Sequence, residues 1–292
     1  VYDPERLNFD RELLRRYYLR AGYADMQVLS ATAELTDQPR KVRALGQALN
    51  YPTEFFYLGD SEALGAEAVS FRSLSSLTAR QRDAALAAGD LAFELHGWVA
   101  DRFELPAAQL LDLRDEDPVA AAEALRSHWG MGAKPIENMI KLLESKGVRV
   151  FSLAEQHKHV DAFSCWRGDT PYIFLNTFKS AERSRFDAGH ELAHLVLHVH
   201  GIKNGGRDIE READMFASAF LINRGDLIGH LGCVNSLARL VSAKKRWGVS
   251  VSALARTAFE ARLISDWHYR DLCKQISHLG YRTTEPEGLA RE

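Results

Sequence analysis

Phe186-Asp187-Ala188-Gly189-His190-Glu191-Leu192-Ala193-His194-Leu195-Val196-Leu197-His198 decides how this chain is read. Its apolar residues recur at helical spacing, and it contains H-E-x-x-H. Residues four apart on a helix share a face, so the imidazoles of His190 and His194 can reach one ion about 2 Å from each ring nitrogen. Glu191 lies about 100° further round the helix. It is then beside the ion's place, where it takes a proton from the attacking water rather than binding metal. Two histidines and a glutamate inside an otherwise apolar helix cost burial energy unless they are paired or metal-bound.

A catalytic zinc takes three protein ligands and keeps a fourth position for water. Glu210-Arg211-Glu212-Ala213-Asp214 offers the third ligand on a second helix. Glu210 and Asp214 are four apart and share a face. Glu210 is expected to bind the metal, and Asp214 to accept a hydrogen bond from a ligating histidine. Glu212 is the alternative ligand. Ala213 and Ala217 are small enough to let the two helices approach closely. His198 continues the histidine face by one turn, but the glycine and longer gap of the metzincin pattern are missing. His198 and His200 are therefore expected behind the ligands or on the surface.

Outward from this centre, the 292 residues are 46% hydrophobic and 26% charged, with a net charge of −3. Such a chain has a real core, room for two or three domains, and no overall basic character for nucleic acid. Cys165, Cys233 and Cys273 form no C-x-x-C pair, which points away from a disulfide scaffold and toward a reducing cytoplasm. No signal pattern opens the chain, and no apolar run reaches the roughly 18 residues of a membrane span. The fold class expected is α+β, mostly helical, with a small antiparallel sheet. Strands are expected at 148–153, 160–166 and 172–175, the last two joined by the turn Arg167-Gly168-Asp169. Helices are expected at 75–103, 118–129, 136–146, 180–200, 208–223, 235–246, 250–262 and 265–278, with a loose tail from Thr283 onward. The expected divisions are a helical region over 1–58, a linker and long helix over 59–104, a metal domain over 105–225 and a C-terminal helical domain over 226–292.

Strand alternation sets Asp161, Phe163 and Cys165 on one face and Ala162, Ser164 and Trp166 on the other. If Cys165 faces the ion, its thiolate fills the open position and switches the site off until displaced. The plainer reading is a small buried hydrophobe. Arg239, Lys244, Lys245 and Arg246, near Trp247, form a basic stretch whose commonest meaning is a solvated helix face.

The run from Arg185 to His198 resembles the ImmA/IrrE family of metallopeptidases. So do Glu210-Arg211-Glu212-Ala213-Asp214-Met215-Phe216-Ala217 and the strand pair Val160-Asp161-Ala162-Phe163-Ser164 and Tyr172-Ile173-Phe174-Leu175-Asn176. The likeness continues through Lys244-Lys245-Arg246-Trp247-Gly248-Val249-Ser250 to Gln275-Ile276-Ser277 and covers about residues 60–285. It implies a zincin-like domain with zinc as cofactor (manganese stays open), bound by His190, His194 and Glu210, with Glu191 as base. It further implies cleavage of a helix-turn-helix repressor that controls a stress, prophage or mobile-element response. Single-stranded DNA or another activating ligand, and a homodimer, stay open as partners. Many relatives carry an Xre-type helix-turn-helix. Residues 36–56 resemble its last helix through Pro39, Val42, Leu45, Ala48 and Leu49, but the part before departs from the pattern, and a degenerate domain is expected. The rival reading is a non-enzymatic DNA-binding regulator with a structural metal. His198, His200 and Tyr172 are the candidates for stabilising an oxyanion.

Overall fold

The computed structural model describes residues 39–57, 79–153, 162–176, 178–198, 206–232, 234 and 236–292. The chain divides into two units, Val1–Asp60 and Ser61–Glu292. In the first, helix α1 (Pro39–Leu49) begins at the proline whose fixed φ suits a first helical position, and a 3-10 turn follows at Thr53–Tyr57. Val42 and Gly46 are buried in it. Most of the helix-turn-helix-like reading falls on residues 1–38, outside the described residues.

The second unit holds α2 (Ala79–Ala100), α3 (Pro118–His128), α4 (Met139–Ser145) and strands β1 (Arg149–Ser152), β2 (Ala162–Arg167) and β3 (Thr170–Leu175). Helices α5 (Ala181–Leu197), α6 (Gly206–Leu221), α7 (Arg224–Leu231), α8 (Leu237–Ala243), α9 (Val251–Glu260) and α10 (Asp266–His278) follow, with a 3-10 turn at Lys244–Arg246 between α8 and α9. Side-chain caps open many of these helices. Asp117, Asn138, Ser180, Asn223 and Ser250 each accept a hydrogen bond from an amide of the first turn. Gly147 follows α4 at φ +83, where a Cβ would stand 2.2 Å from the Ala107 carbonyl oxygen, so only glycine fits.

The sheet has the order β1-β3-β2. β2 and β3 form the expected hairpin, antiparallel, with Ser164 opposite Ile173 and Cys165 opposite Tyr172. β1 pairs β3 in parallel, which corrects the expectation of a purely antiparallel sheet. The reason is connectivity: the chain crosses from one edge of the sheet to the other between β1 and β2, and the hairpin then returns β3 between them in the direction of β1.

The two faces of the sheet are buried differently. Ala162, Ile173 and Leu175 join the main core with Leu192 and Val196 of α5. Phe163, Cys165, Tyr172 and Phe174 turn the other way, onto Ala92 and Phe93 of α2. The main core runs without a break from Leu113 to Ile276. The residues expected as a separate domain over 226–292 share it. Helices α5 and α6 meet at Gly189, where a Cβ would lie 3.4 Å from that of Ala217.

Two further expectations are corrected. The stretch after residue 223 holds helix α7, capped by Asn223; Gly225 and Gly229 hid its helical pattern. The tail is tied down rather than loose. Glu285 reaches Lys244 at 3.2 Å, Glu287 reaches Lys245 at 2.7 Å, and Glu292 pairs with Arg185. These ion pairs, with the hydrogen bond from the Leu289 amide to Glu182, oppose the ordering entropy that a polar, glycine-bearing tail implies by composition alone. The basic stretch is likewise absorbed within the chain. Lys244 is fully buried against Glu182 at 2.7 Å, and Arg246 pairs with Asp226 at 2.7 Å.

Candidate metal centre

Helix α5 positions the site. Ser180 caps it by accepting from the Arg183 amide, and its apolar residues Ala188, Leu192, Ala193, Leu195 and Val196 fix its rotation in the core. That rotation turns His190 and His194 toward α6. Their Nε2 atoms are 3.1 Å apart. The Glu210 carboxylate of α6 comes to 3.4 Å from His190 Nε2 and 3.8 Å from His194 Nε2. One ligand atom from each of the three residues lies within 4.8 Å of the others.

These separations fit a metal. Ligand atoms about 2 Å from a tetrahedral ion stand about 3.3 Å from one another. The donor set of two imidazole nitrogens and a carboxylate oxygen is that of a zinc site with a fourth position open. The outer nitrogen of each histidine is engaged. His190 Nδ1 lies 2.9 Å from Asp214 Oδ1, and His194 Nδ1 lies 2.9 Å from His198 Nδ1. A carboxylate on Nδ1 fixes the tautomer and leaves Nε2 as the donor toward an ion. His198 Nε2 in turn meets Glu212 Oε2 at 3.1 Å, so Glu212 serves His198 and stands outside the three-residue cluster. Burial lowers the His190 pKa, but hydrogen bonds to Asp214 and Glu210 overcome this and raise it to about 10. Burial, only partly opposed by Glu212, holds His198 below its ordinary value.

Glu191 is 3% exposed. Burial raises its carboxyl pKa to about 7, against the opposing pull of His190 and a hydrogen bond from Ser164. That value suits proton transfer near neutral pH. Ser164 Oγ donates to Glu191 Oε2 at 2.7 Å. The sequence reading missed this partner, though strand alternation carried the signal: whichever face Cys165 takes, Ser164 takes the other.

Cys165 takes the face away from the histidines. It is fully buried among Phe163, Tyr172 and Phe174, and burial, with the Glu191 charge adding, pushes its thiol up to about 12. A neutral thiol in an aromatic cluster matches the small-hydrophobe reading, and the inhibitory-ligand reading is not carried further. Tyr172 also faces α2, its hydroxyl 2.5 Å from His96 Nδ1, which removes it from the oxyanion candidates. His200 lies outside the described residues.

A groove of about 1620 Å³ opens over the centre. His190, Glu191, His194 and Glu210 line one part of it, and Met215, Val249, Tyr269, Ile276 and Tyr281 give it an apolar stretch. Its volume exceeds the roughly 300–1,000 Å³ of a small-molecule pocket and suits a length of polypeptide. Among the described residues, no helix is long and apolar enough to cross a membrane.

Residues 143–259 match the family model of the IrrE N-terminal-like domain, Peptidase_M78. The matched span carries H-E-x-x-H and Glu210, and runs from the end of α4 into α9. Residues 1–44 match the model of POTRA, the surface antigen variable number repeat, and only 39–44 of that span are described, inside α1. Neither match is to a helix-turn-helix model. No curated protein matches the chain.

Proposed function

We propose that this chain, whose residues 143–259 match the IrrE N-terminal-like domain, is a metallopeptidase of the ImmA/IrrE type that cleaves a helix-turn-helix repressor with zinc. The observation that carries the reading is the convergence of His190, His194 and Glu210 within 4.8 Å, with the buried Glu191 on the next helical position. His190, His194 and Glu210 hold the ion, and Asp214 orients His190. When bound, zinc supplies Lewis acidity and lowers the pKa of water. Manganese, with the same ligands, is the second candidate.

The chain's own part is to bind and to move a proton. The groove takes an extended peptide across the three ligands. Glu191 removes the proton from the attacking water and returns it to the leaving nitrogen. A purely structural metal site closes four protein ligands. Three ligands beside a buried carboxylate in an open groove favour catalysis over the non-enzymatic DNA-binding reading.

A cytoplasmic repressor substrate places the reaction in the cytoplasm and its consequence in transcription: a stress, prophage or mobile-element response. The test mixes the zinc-loaded chain with the helix-turn-helix protein encoded beside its gene and follows cleavage by mass spectrometry, with and without single-stranded DNA. Cleavage that falls by about 100- to 10,000-fold in Glu191→Gln, while zinc stays bound, is the expected result. Cleavage retained in Glu191→Gln would overturn the assignment of the base, and absence of cleavage under every condition would overturn the substrate.

A further inference from the structure

We propose that Ser164 is the positioning residue for Glu191, an inference that rests on the peptidase reading above. Ser164 sits in the middle of β2, fully buried, and its backbone is held in register against Ile173. Its hydroxyl donates to Glu191 Oε2 at 2.7 Å. Two residues on, Trp166 Nε1 donates to the Leu195 carbonyl of α5 at 3.2 Å. One face of one strand is thus pinned to the helix of the H-E-x-x-H motif at two points, 164 to 191 and 166 to 195.

A glutamate side chain has three rotatable bonds, and a base that wanders loses rate steeply. Burial alone does not fix a carboxylate's orientation; a directed donor does. Ser164 takes Oε2. Glu191 Oε1 has no protein hydrogen-bond partner among the described residues, and Glu191 lines the groove. The hydroxyl therefore assigns the two oxygens different tasks, one anchored in the sheet and one presented to the groove. A hydrogen bond to an ionised buried group is also among the stronger kinds, so the arrangement holds while the carboxylate is charged.

The experiment uses the full chain loaded with zinc and a leucine-based peptide hydroxamate as probe, because a hydroxamate engages the metal and gives a proton to the neighbouring base without needing the natural substrate. Its affinity is measured by calorimetry in the wild type, Ser164→Ala, Glu191→Gln and the double variant, with zinc affinity measured in parallel. Ser164→Ala is expected to weaken the hydroxamate about tenfold or more and to leave zinc affinity unchanged. In the Glu191→Gln background the same substitution is expected to change binding by less than about twofold, because its effect runs through the carboxylate. Ser164→Thr, which keeps the hydroxyl, is expected to recover most of the affinity.

A loss of equal size in both backgrounds, or a silent Ser164→Ala in a chain that binds zinc and hydroxamate normally, would overturn the positioning role and leave the peptidase reading standing. A wild-type chain that takes up no zinc would overturn both.

Discussion

Helix α5 carries two buried polar clusters, one at each end, built on opposite principles. Near its start, Glu182 meets Lys244 at 2.7 Å and accepts from the Leu289 amide, and Arg185 meets Glu292 and the carbonyls of Ile136 and Glu137. Opposite charges neutralise one another there, although Glu182 Oε2 and Arg185 Nε are left without a partner. Burial would raise the Glu182 pKa, but the Lys244 ammonium and the amides outweigh it and hold it below its ordinary value. Two turns later, His190 and His194 aim nitrogens at each other across 3.1 Å, and a glutamate beside them is held well above its ordinary pKa. The first cluster stabilises the fold by being closed. The second gathers two imidazoles, Glu210 and a carboxyl of shifted pKa in one groove, which is the mark of a functional site.

The largest effect that separates the two is expected from Lys244→Ala. Removing one partner of a buried ion pair strands the other, here Glu182, together with the less buried Glu285, and costs about 3–5 kcal/mol. Chemical denaturation should show this loss while the variant's zinc affinity at low temperature stays within a few-fold of wild type. A silent Lys244→Ala would mean that the first cluster is not what holds the tail and α5 together. The complementary change is Glu210→Ala. It should weaken zinc by more than about 1,000-fold, beyond the 10–100-fold typical of groups that only orient ligands. It should not lower stability in chelator, because it removes a carboxylate that serves an ion. If Glu210→Ala instead unfolds the chain and spares zinc, the two clusters would have to exchange roles.

The three-residue cluster was legible in the sequence because helical periodicity alone puts His190 above His194, and Glu210 above Asp214, without knowledge of any distant contact. The closed cluster was not. Nothing local tells Lys244 that Glu182 and Glu285 wait for it, so a basic run next to Trp247 read as a solvated face. For the same reason the tail read as loose: its anchors are distant in sequence, as in the bond from Leu289 to Glu182. The face of Cys165 and Ser164 lay between these cases. Alternation fixed that they oppose each other, and only packing against Phe93 and Phe174 decided which one meets α5. The antiparallel sheet failed on connectivity, a property of chain path that residue pattern does not encode.

The smallest effect sharpens the contrast by pH. The Glu191 carboxyl rises from 4.5 to about 7 on folding, chiefly through burial. An acid whose folded pKa lies above its unfolded value binds its proton more tightly in the native state. Its contribution to stability is therefore full below about pH 4.5 and is lost as the pH rises through about 7, by about 3 kcal/mol in all. Glu191→Gln lacks that titration, so in chelator its stability relative to wild type should increase between pH 5 and pH 8. Saturating zinc should flatten the difference, because a cation beside Glu191 favours its charged form. Glu182 predicts the reverse sign: its folded pKa is lowered, so its contribution is present above its unfolded pKa and lost on acidification. Denaturation curves for Glu191→Gln between pH 5 and pH 8, and for Glu182→Gln from about pH 5 downward, would test both. Parallel pH profiles for the two variants would mean that the ends of α5 share one kind of electrostatics.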